Sequence, residues 1–216
     1  HMVPVSARQD LAACPGARIA GQAALDAGSF AIEGIDLIEL YSCFPSAVET
    51  YAAALGLPLS SPTRPLTITG GMPFAGGPFN NYVLQATCRA AELLREGAGR
   101  TALVSSVSGM LTKQGFGLWS VDPAPRGFVN ADLTESVARK VKALEVLDEF
   151  TGEGVVAGYT VIHGRNQAPR GIALIDVSPT ERALTTTEDP TVLASMQEVE
   201  WVGRQVVIDK NVLGIY

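Results

Sequence analysis

Cys43 has a position in this chain that favours thiol chemistry. It lies two residues before Pro45, and proline is preferred at the first position of a helix, so the thiol is predicted to stand at a helix N-terminus. Unpaired backbone N–H groups and the helix dipole favour the thiolate there, which is the nucleophilic form of cysteine. A lone cysteine is more often a small buried apolar side chain. The sequence leaves both interpretations open.

A glycine-rich loop, residues 69–78, lies before a second predicted helix start at Asn80 or Asn81. Its four glycines allow the backbone to approach a ligand closely, and the following helix would direct N–H groups at the same place. Together with the Cys43 segment, the loop predicts a site for an anionic or acyl ligand. A tight turn uses the same residue types. Nucleotide binding finds little support, because the chain has neither a phosphate-loop lysine motif nor a GxGxxG fingerprint.

Ser105, Ser106 and Ser108 form a third candidate group, at the end of a predicted buried strand. A serine nucleophile requires a base within reach. The chain has two histidines, of which one is its first residue and the other, His163, falls in a predicted hairpin turn of a different domain. The sequence therefore favours a structural role for the serines, as partners of turn backbone, and a structural or solvent-exposed His163.

Composition and charge argue against several classes of function. The chain has 216 residues and a formal net charge of −6, which disfavours nucleic acid or an anionic membrane as its main partner. No apolar run reaches the length of a membrane span. The cysteines at positions 14, 43 and 88 are few and match no zinc spacing, a pattern that predicts a reducing, cytoplasmic location and no metal site.

Helix and strand patterns alternate over the first part of the chain, which predicts an α/β unit. Proline at a helix start and glycine after a helix end mark several of the boundaries. The predicted helices run over residues 16–26, from Pro45 to the capping Gly56, and from Asn80 or Asn81 to Gly97. The predicted strands are 35–41, 66–69, 101–106 and 116–120.

The character of the chain changes at a stretch rich in proline, residues 122–127. A short charged helix or an extended arm is predicted over 133–142, and a later helix opens at Asp189-Pro190. The strands predicted in this part are 144–150, 155–162, 172–177 and 206–208, with a turn at 151–154. Short strands around one helix suggest a small barrel of the OB type. The predicted domains are therefore 1–121 and 144–216, joined by a linker over 122–143.

Three motifs resemble, in their order along the chain, the second half of the thiolase superfamily: residues 41–48, Gly76-Gly77-Pro78 and Asn80-Asn81-Tyr82. The chain is most similar to the sterol-carrier-protein-x type and to proteins described as acetyl-CoA acetyltransferases. The resemblance covers residues 6–120, and the tail resembles a C-terminal domain that some thiolase-like proteins add. It implies a layered thiolase-type half-domain followed by a small, mostly-β, OB-like barrel.

The resemblance also implies a ligand and partners. CoA or acyl-CoA would be the substrate, with no bound cofactor, and the nucleophilic cysteine of the family would belong to an N-terminal thiolase half or a partner subunit. Full proteins of the superfamily bury their two halves against each other and usually dimerise. This chain is therefore expected to form a homo-oligomer, since an isolated half would expose a large apolar face.

The second half of such proteins supplies three active-site loops, named NEAF or HDCF, GHP and CxG, and this chain departs from each. Tyr41 and Ser42 replace the polar pair of the first loop. Gly77 stands where the histidine of the second belongs, and Ser106 replaces the acid/base cysteine of the third. Loss of one such group commonly costs on the order of a hundredfold in rate.

The resemblance implies Cys43, Tyr41 and Ser106 as the residues for proton transfer. The implied contacts to substrate or CoA are Ser42, Phe44, Gly76, Gly77, Asn80, Asn81 and Ser108. A different acyl-transfer or C–C bond chemistry, with Tyr41 and Cys43 as acid and base, is one possibility, and two main hypotheses stand beside it. The chain is either the C-terminal part of an acyl-CoA acyltransferase that is inactive without its other half, or a non-catalytic module that binds acyl-CoA or docks a partner.

Overall fold

The chain divides into two compact units. The computed structural model describes residues 3–60 and 64–214. The first unit is formed by Ala12–Val141, and the second combines Val3–Leu11 with the residues from Lys142 onward. The sequence-based division differs in placing the first eleven residues with the α/β part, because short polar segments carry no signal of a distant partner.

The first unit contains a three-stranded sheet with helices packed against it. Its elements are α1 (Pro15–Gly28), β1 (Leu37–Glu39), α2 (Pro45–Leu55), α3 (Met72–Ala75), α4 (Tyr82–Arg95), β2 (Thr101–Ser108), β3 (Lys113–Ser120) and α5 (Thr134–Lys140). The central strand β2 runs parallel to β1 and antiparallel to β3. The segment 133–142, for which a helix and an extended arm were alternatives, is therefore helical over most of its length.

Alternate residues of β2 enter two separate apolar clusters. Leu103 belongs to the cluster formed with α1 and α2, while Ala102 and Val104 belong to the cluster formed with α4. Successive side chains of a strand point to opposite faces of its sheet. The sheet therefore lies between α4 on one face and the α1–α2 pair on the other. The loops that follow the parallel strands β1 and β2 lie at the same edge of the sheet.

The helix boundaries follow local signals in the sequence. α2 begins at Pro45 and ends before Gly56, which has the left-handed φ of 72° expected of a capping glycine. α4 begins close to the predicted position, after a 3₁₀ turn over Phe79–Asn81. Asn81, one of the two residues predicted for the helix start, stands at the N-cap, but its side chain makes no capping hydrogen bond.

The predicted strand over residues 66–69 is wrong. Only its first residue makes a strand-like bond, in which the N–H of Leu40 donates to the carbonyl of Leu66 at 2.9 Å. The N–H groups of Ile68 and Thr69 donate instead to the side chain of Glu39. A backbone whose N–H groups are bound by a carboxylate cannot form a ladder with a neighbouring strand.

The second unit is a barrel-like sheet with one helix. Its elements are β4 (Glu145–Leu147), β5 (Gly152–Ile162), β6 (Arg170–Asp176), β7 (Glu181–Thr187), α6 (Pro190–Glu198), β8 (Gln205–Asp209) and β9 (Val212–Gly214). The strand order is β4-β7-β6-β5-β8-β9, and a further pairing of β7 with β9 closes a ring of five strands. The predicted turn at 151–154 is wrong because β5 begins at Gly152. The strands β7 and β9 were not predicted.

The helix α6 is fixed at its start and against the core of the barrel. The Asp189 carboxylate accepts from the N–H groups of Thr191 at 2.7 Å and Val192 at 3.2 Å, which confirms the predicted helix start. Trp201 is buried, and its indole N–H donates to the Ser195 hydroxyl at 3.1 Å. The environment of Trp201 therefore depends on the position of α6.

Replacing the cap of α6 is expected to destabilise the second unit. Asp189→Ala removes the acceptor of two N–H groups and should lower the free energy of unfolding by about 1 kcal/mol. The measurement is urea unfolding followed by Trp201 fluorescence in a Trp119→Phe background. Glu188→Ala, at the exposed neighbouring position, is the matched control, and equal stability of the two variants would contradict the prediction.

Candidate ligand site

The carboxylate of Glu39 is fully buried at the end of β1 and is held by five hydrogen bonds. Its Oε2 accepts from the Thr67 hydroxyl at 3.0 Å and from the N–H groups of Ile68 and Thr69 at 2.7 and 3.1 Å. Its Oε1 accepts from the Thr69 hydroxyl at 3.0 Å and from the Tyr82 hydroxyl. Protein donors thus replace the water that a buried carboxylate loses.

The hydroxyl of Tyr82 extends these contacts to the loop after β1. It lies 2.8 Å from the Thr69 hydroxyl and 3.4 Å from the Ser42 hydroxyl. The single proton of Tyr82 is donated to Glu39, so Ser42 is the donor in its contact with Tyr82. The Ser42 oxygen in turn accepts from the N–H of Met72 at 2.9 Å. Glu39, Thr67, Thr69, Tyr82 and Ser42 form what we call the Glu39 network.

The Glu39 network joins three segments that are distant in sequence. These are the loop after β1, the segment that leads into α3, and the start of α4. Burial raises the pKa of Tyr82, and its hydrogen bond to Glu39 acts in the same direction. The neutral phenol is therefore the form that the folded chain stabilises.

Tyr41 is fixed by its backbone and by its ring. Its N–H donates to the buried Ser105 hydroxyl at 2.9 Å, and its ring meets that of Tyr82 edge to face at a centroid distance of 5.3 Å. Burial raises the pKa of the Tyr41 phenol, with a smaller contribution from a negative charge on Cys43. The serine of β2 that contacts this loop is therefore Ser105.

Cys43 and Phe44 are exposed at the start of α2. The interpretation of Cys43 as a buried apolar residue is wrong, because its thiol lies at the surface. The Phe44 carbonyl accepts from the N–H of Ala47, which places the first turn of α2 directly after the thiol. Pro45 at the first helical position has no N–H of its own to satisfy.

The glycine loop turns through left-handed backbone conformations. Gly71 has φ 81°, and a Cβ there would lie 3.2 Å from the Ser42 hydroxyl oxygen, so glycine permits the close approach of the two loops. Gly76 and Gly77 have φ of 94° and 51°. The Gly77 carbonyl accepts from the N–H of Phe79 at 2.8 Å. At Gly77, where the resemblance implied a histidine, only backbone groups are therefore available to a ligand.

The remaining predicted contacts lie at the loop surface and at the end of β2. Asn80 and Asn81 are exposed in the turn before α4. The Ser106 carbonyl accepts from the Tyr51 hydroxyl at 2.9 Å, and the Ser108 carbonyl accepts from the N–H of Thr112 at 3.1 Å. The structure brings Tyr41 and Ser42 together through Tyr82, while the bonds of Ser106 and Ser108 are made to other partners.

Sequence reasoning missed the residues at the centre of the site. These are Glu39, Thr69 and Tyr82 as a hydrogen-bonding residue. One signal was present, since Glu39 is an acid between the apolar residues Ile38 and Leu40 of a buried strand. A charged residue at such a position requires internal donors, and the hydroxyl residues at 67 and 69 are the nearest candidates in the next segment.

Among residues 3–60 and 64–214, no group of three or more histidine, cysteine or acidic side chains is placed to hold a metal ion. In the same described part of the chain, every helix is too short or too polar to cross a membrane.

The chain is similar over its whole length to the crystal structure of a monomeric SCP2-thiolase-like protein type 1 from Mycobacterium smegmatis. The TM-score is 0.87 and the sequence identity is 26%, and the match covers 100% of this chain and 49% of the solved chain. This chain has a thiolase-like fold. The thiolase-like chain thus spans about half the length of the structure that it matches, 49%. No protein-family model and no curated protein matches its sequence.

Replacing the carboxylate of Glu39 is expected to loosen the loops of the first unit. Glu39→Gln places an amide N–H₂ against N–H and hydroxyl donors, and the free energy of unfolding should fall by about 3 kcal/mol. Urea unfolding measures the loss, and amide hydrogen exchange at Ile68 and Thr69 should accelerate. Glu33→Gln, at an exposed acid of the same unit, is the control. Unchanged protection of the two amides would contradict the structural role of Glu39.

The raised pKa of Tyr82 predicts a fall of stability at alkaline pH. The folded state keeps this phenol neutral above the ordinary value of 10.0, so its contribution is complete below pH 10 and is lost as the pH rises toward the folded pKa. Urea unfolding measured between about pH 9 and pH 11 should therefore show a steeper loss for the wild type than for Tyr82→Phe. Equal slopes for the two proteins would contradict this assignment.

Proposed function

We propose that the chain is part of a thiolase-like acyl-CoA protein and that its loops contribute half of a site for CoA or acyl-CoA. The observation that carries this proposal is the hydrogen bond from the N–H of Met72 to the Ser42 hydroxyl. It ties the loop that bears the exposed thiol of Cys43 to the glycine loop. Backbone N–H groups at two helix starts and an exposed thiol suit an acyl thioester and its anionic head group.

The side chains of this site favour binding over acid–base chemistry. The Ser42 hydroxyl is engaged with Met72 and Tyr82, and the Ser105 hydroxyl accepts from the N–H of Tyr41. Gly77 has no side chain to activate a nucleophile. We infer that acyl transfer, with CoA as substrate and no further cofactor, requires residues beyond this chain. The alternative, a non-catalytic module that binds acyl-CoA, is favoured by the same two engaged hydroxyls and by the lack of a side chain at Gly77.

Three phenylalanines support the proposal of a partner for these loops. Phe44, Phe74 and Phe79 are 69%, 86% and 89% exposed, and each belongs to a loop of the site. Large exposed apolar groups commonly mark an interaction surface. We propose that an N-terminal thiolase half or a partner subunit covers them, and that the isolated chain forms homo-oligomers. Light scattering that finds a monomer, together with no binding of an apolar dye, would contradict this.

The second unit is proposed to be an OB-type barrel that docks a protein partner. Around the ring the strands follow the order β5-β6-β7-β9-β8, and α6 lies between β7 and β8 along the chain. Both features support the OB assignment. The docking role rests on analogy of fold. An experimental structure with a different order of strand pairing would overturn the assignment.

Alkylation of Cys43 tests the acyl-CoA proposal. In a Cys88→Ser background, iodoacetamide near neutral pH is expected to modify Cys43, and saturating acetyl-CoA should slow the modification about tenfold by covering the thiol. Mass spectrometry of the digested protein measures the rate. ATP at the same concentration controls for a general effect of anions. Equal rates with and without acetyl-CoA, together with no heat of binding in calorimetry, would contradict the proposal.

A further inference from the structure

Strands β6 and β7 present an outer face that alternates with the core of the barrel. Ala173, Ile175 and Ala183 point inward and are buried in the apolar cluster of the second unit. The residues that alternate with them therefore point outward. They pair across the two strands, Asp176 with Arg182 and Leu174 with Leu184. An outward residue of a barrel is expected to be exposed unless something covers it.

Arg182 points outward, yet it is only 1% exposed. Its Nε donates to a carboxylate oxygen of Asp176 at 2.6 Å. Its Nη1 donates to the carbonyl of Arg8 at 2.7 Å and to the carbonyl of Ser6 at 3.3 Å. The guanidinium group thus binds the backbone of a segment 174 residues away in sequence.

Other contacts fix the same segment along its length. The N–H of Leu144 donates to the carbonyl of Ala7 at 2.8 Å, and Arg8 forms an antiparallel bridge with Ala143. At the far end, a Cβ on Gly158 of β5 would lie 2.8 Å from Cδ1 of Leu11. Gly158 pairs with Leu174 and so belongs to the outer face. Glycine at this position leaves the space that the leucine side chain occupies.

The recognition chemistry of this face suits a peptide. The guanidinium group of Arg182 donates to two backbone carbonyl groups, and the space over Gly158 holds an apolar side chain. In OB-type barrels the face of the second and third strands binds oligonucleotides or oligosaccharides. Here the charge of Arg182 is balanced by Asp176 at 2.6 Å, so the pair offers no net positive charge to a phosphate backbone.

We propose that the outer face of β6 and β7 is a peptide-binding surface and that Val3–Leu11 is its resident ligand. The surface consists of Arg182, Asp176, Gly158 and the backbone of 143–144. Its occupant is a segment of the same chain. Arg182 binds backbone carbonyls of this segment, Leu11 lies over Gly158, and Val3 and Ala7 are buried. This inference concerns the second unit alone and is independent of the acyl-CoA proposal.

Binding of the segment in trans tests the proposal. A chain that begins at Ala12 is mixed with a fluorescein-labelled peptide of residues 3–11, and fluorescence anisotropy measures the affinity. The shortened chain should bind the peptide at least tenfold more tightly than the intact chain, whose surface is already occupied. Arg182→Met in the shortened chain should weaken binding at least tenfold. Arg165→Met, at an exposed position in the β5–β6 loop, should leave it unchanged.

Trp201 fluorescence distinguishes failure of binding from failure of folding. If the shortened chain loses the buried-tryptophan spectrum, Val3–Leu11 is part of the folding core, and its description as a ligand is overturned. Equal peptide binding by the intact and shortened chains would overturn it as well. A single-stranded oligothymidine that binds the shortened chain as tightly as the peptide would overturn the assignment of this surface to peptides.

Discussion

The burial of one carboxylate, that of Glu39, governs how the first unit is built. A carboxylate removed from water needs a full set of internal donors, and the chain can supply them only by bringing residues 67–69 and Tyr82 to the end of β1. Because of this requirement, residues 66–69, whose sequence pattern is that of a strand, form a loop around the Glu39 carboxylate. It also positions the start of α4 and leaves Ser42 free to accept from Met72, so the geometry of the candidate site follows from the position of a single buried group.

The parts of the fold that could be predicted from the sequence are those with local causes. Pro45, Gly56 and the Asp189 cap act on neighbouring residues, and the helices that they bound lie where the sequence indicates. The segment 66–69 alternates apolar and hydroxyl side chains as a strand would, and only the distant Glu39 decides otherwise. β7 escaped prediction because it starts with the charged pair at 181–182, and its burial depends on a segment from the other end of the chain.

The loops of the candidate site were predicted from the sequence, while the side-chain contacts within them were not. The loop after β1, the glycine loop and the end of β2 are close to their predicted places. The choice between Ser105 and Ser106 depends on which face of β2 each residue occupies, and a shift of one residue reverses that assignment. The exposure of Cys43 likewise depends on tertiary packing, because a helix start is compatible with a buried or an exposed thiol.

The path of the chain makes the first unit an insertion within the second. Val3–Leu11 is synthesised before Arg182, which holds it and follows Arg8 by 174 residues. During translation the three strands of the first unit can therefore pair while the last strands of the barrel have not yet been synthesised. Contacts between residues so far apart in sequence form late and slowly. The nascent protein thus carries Val3–Leu11 without its partner strand until β7 has been synthesised, a period in which chaperones have access to the segment.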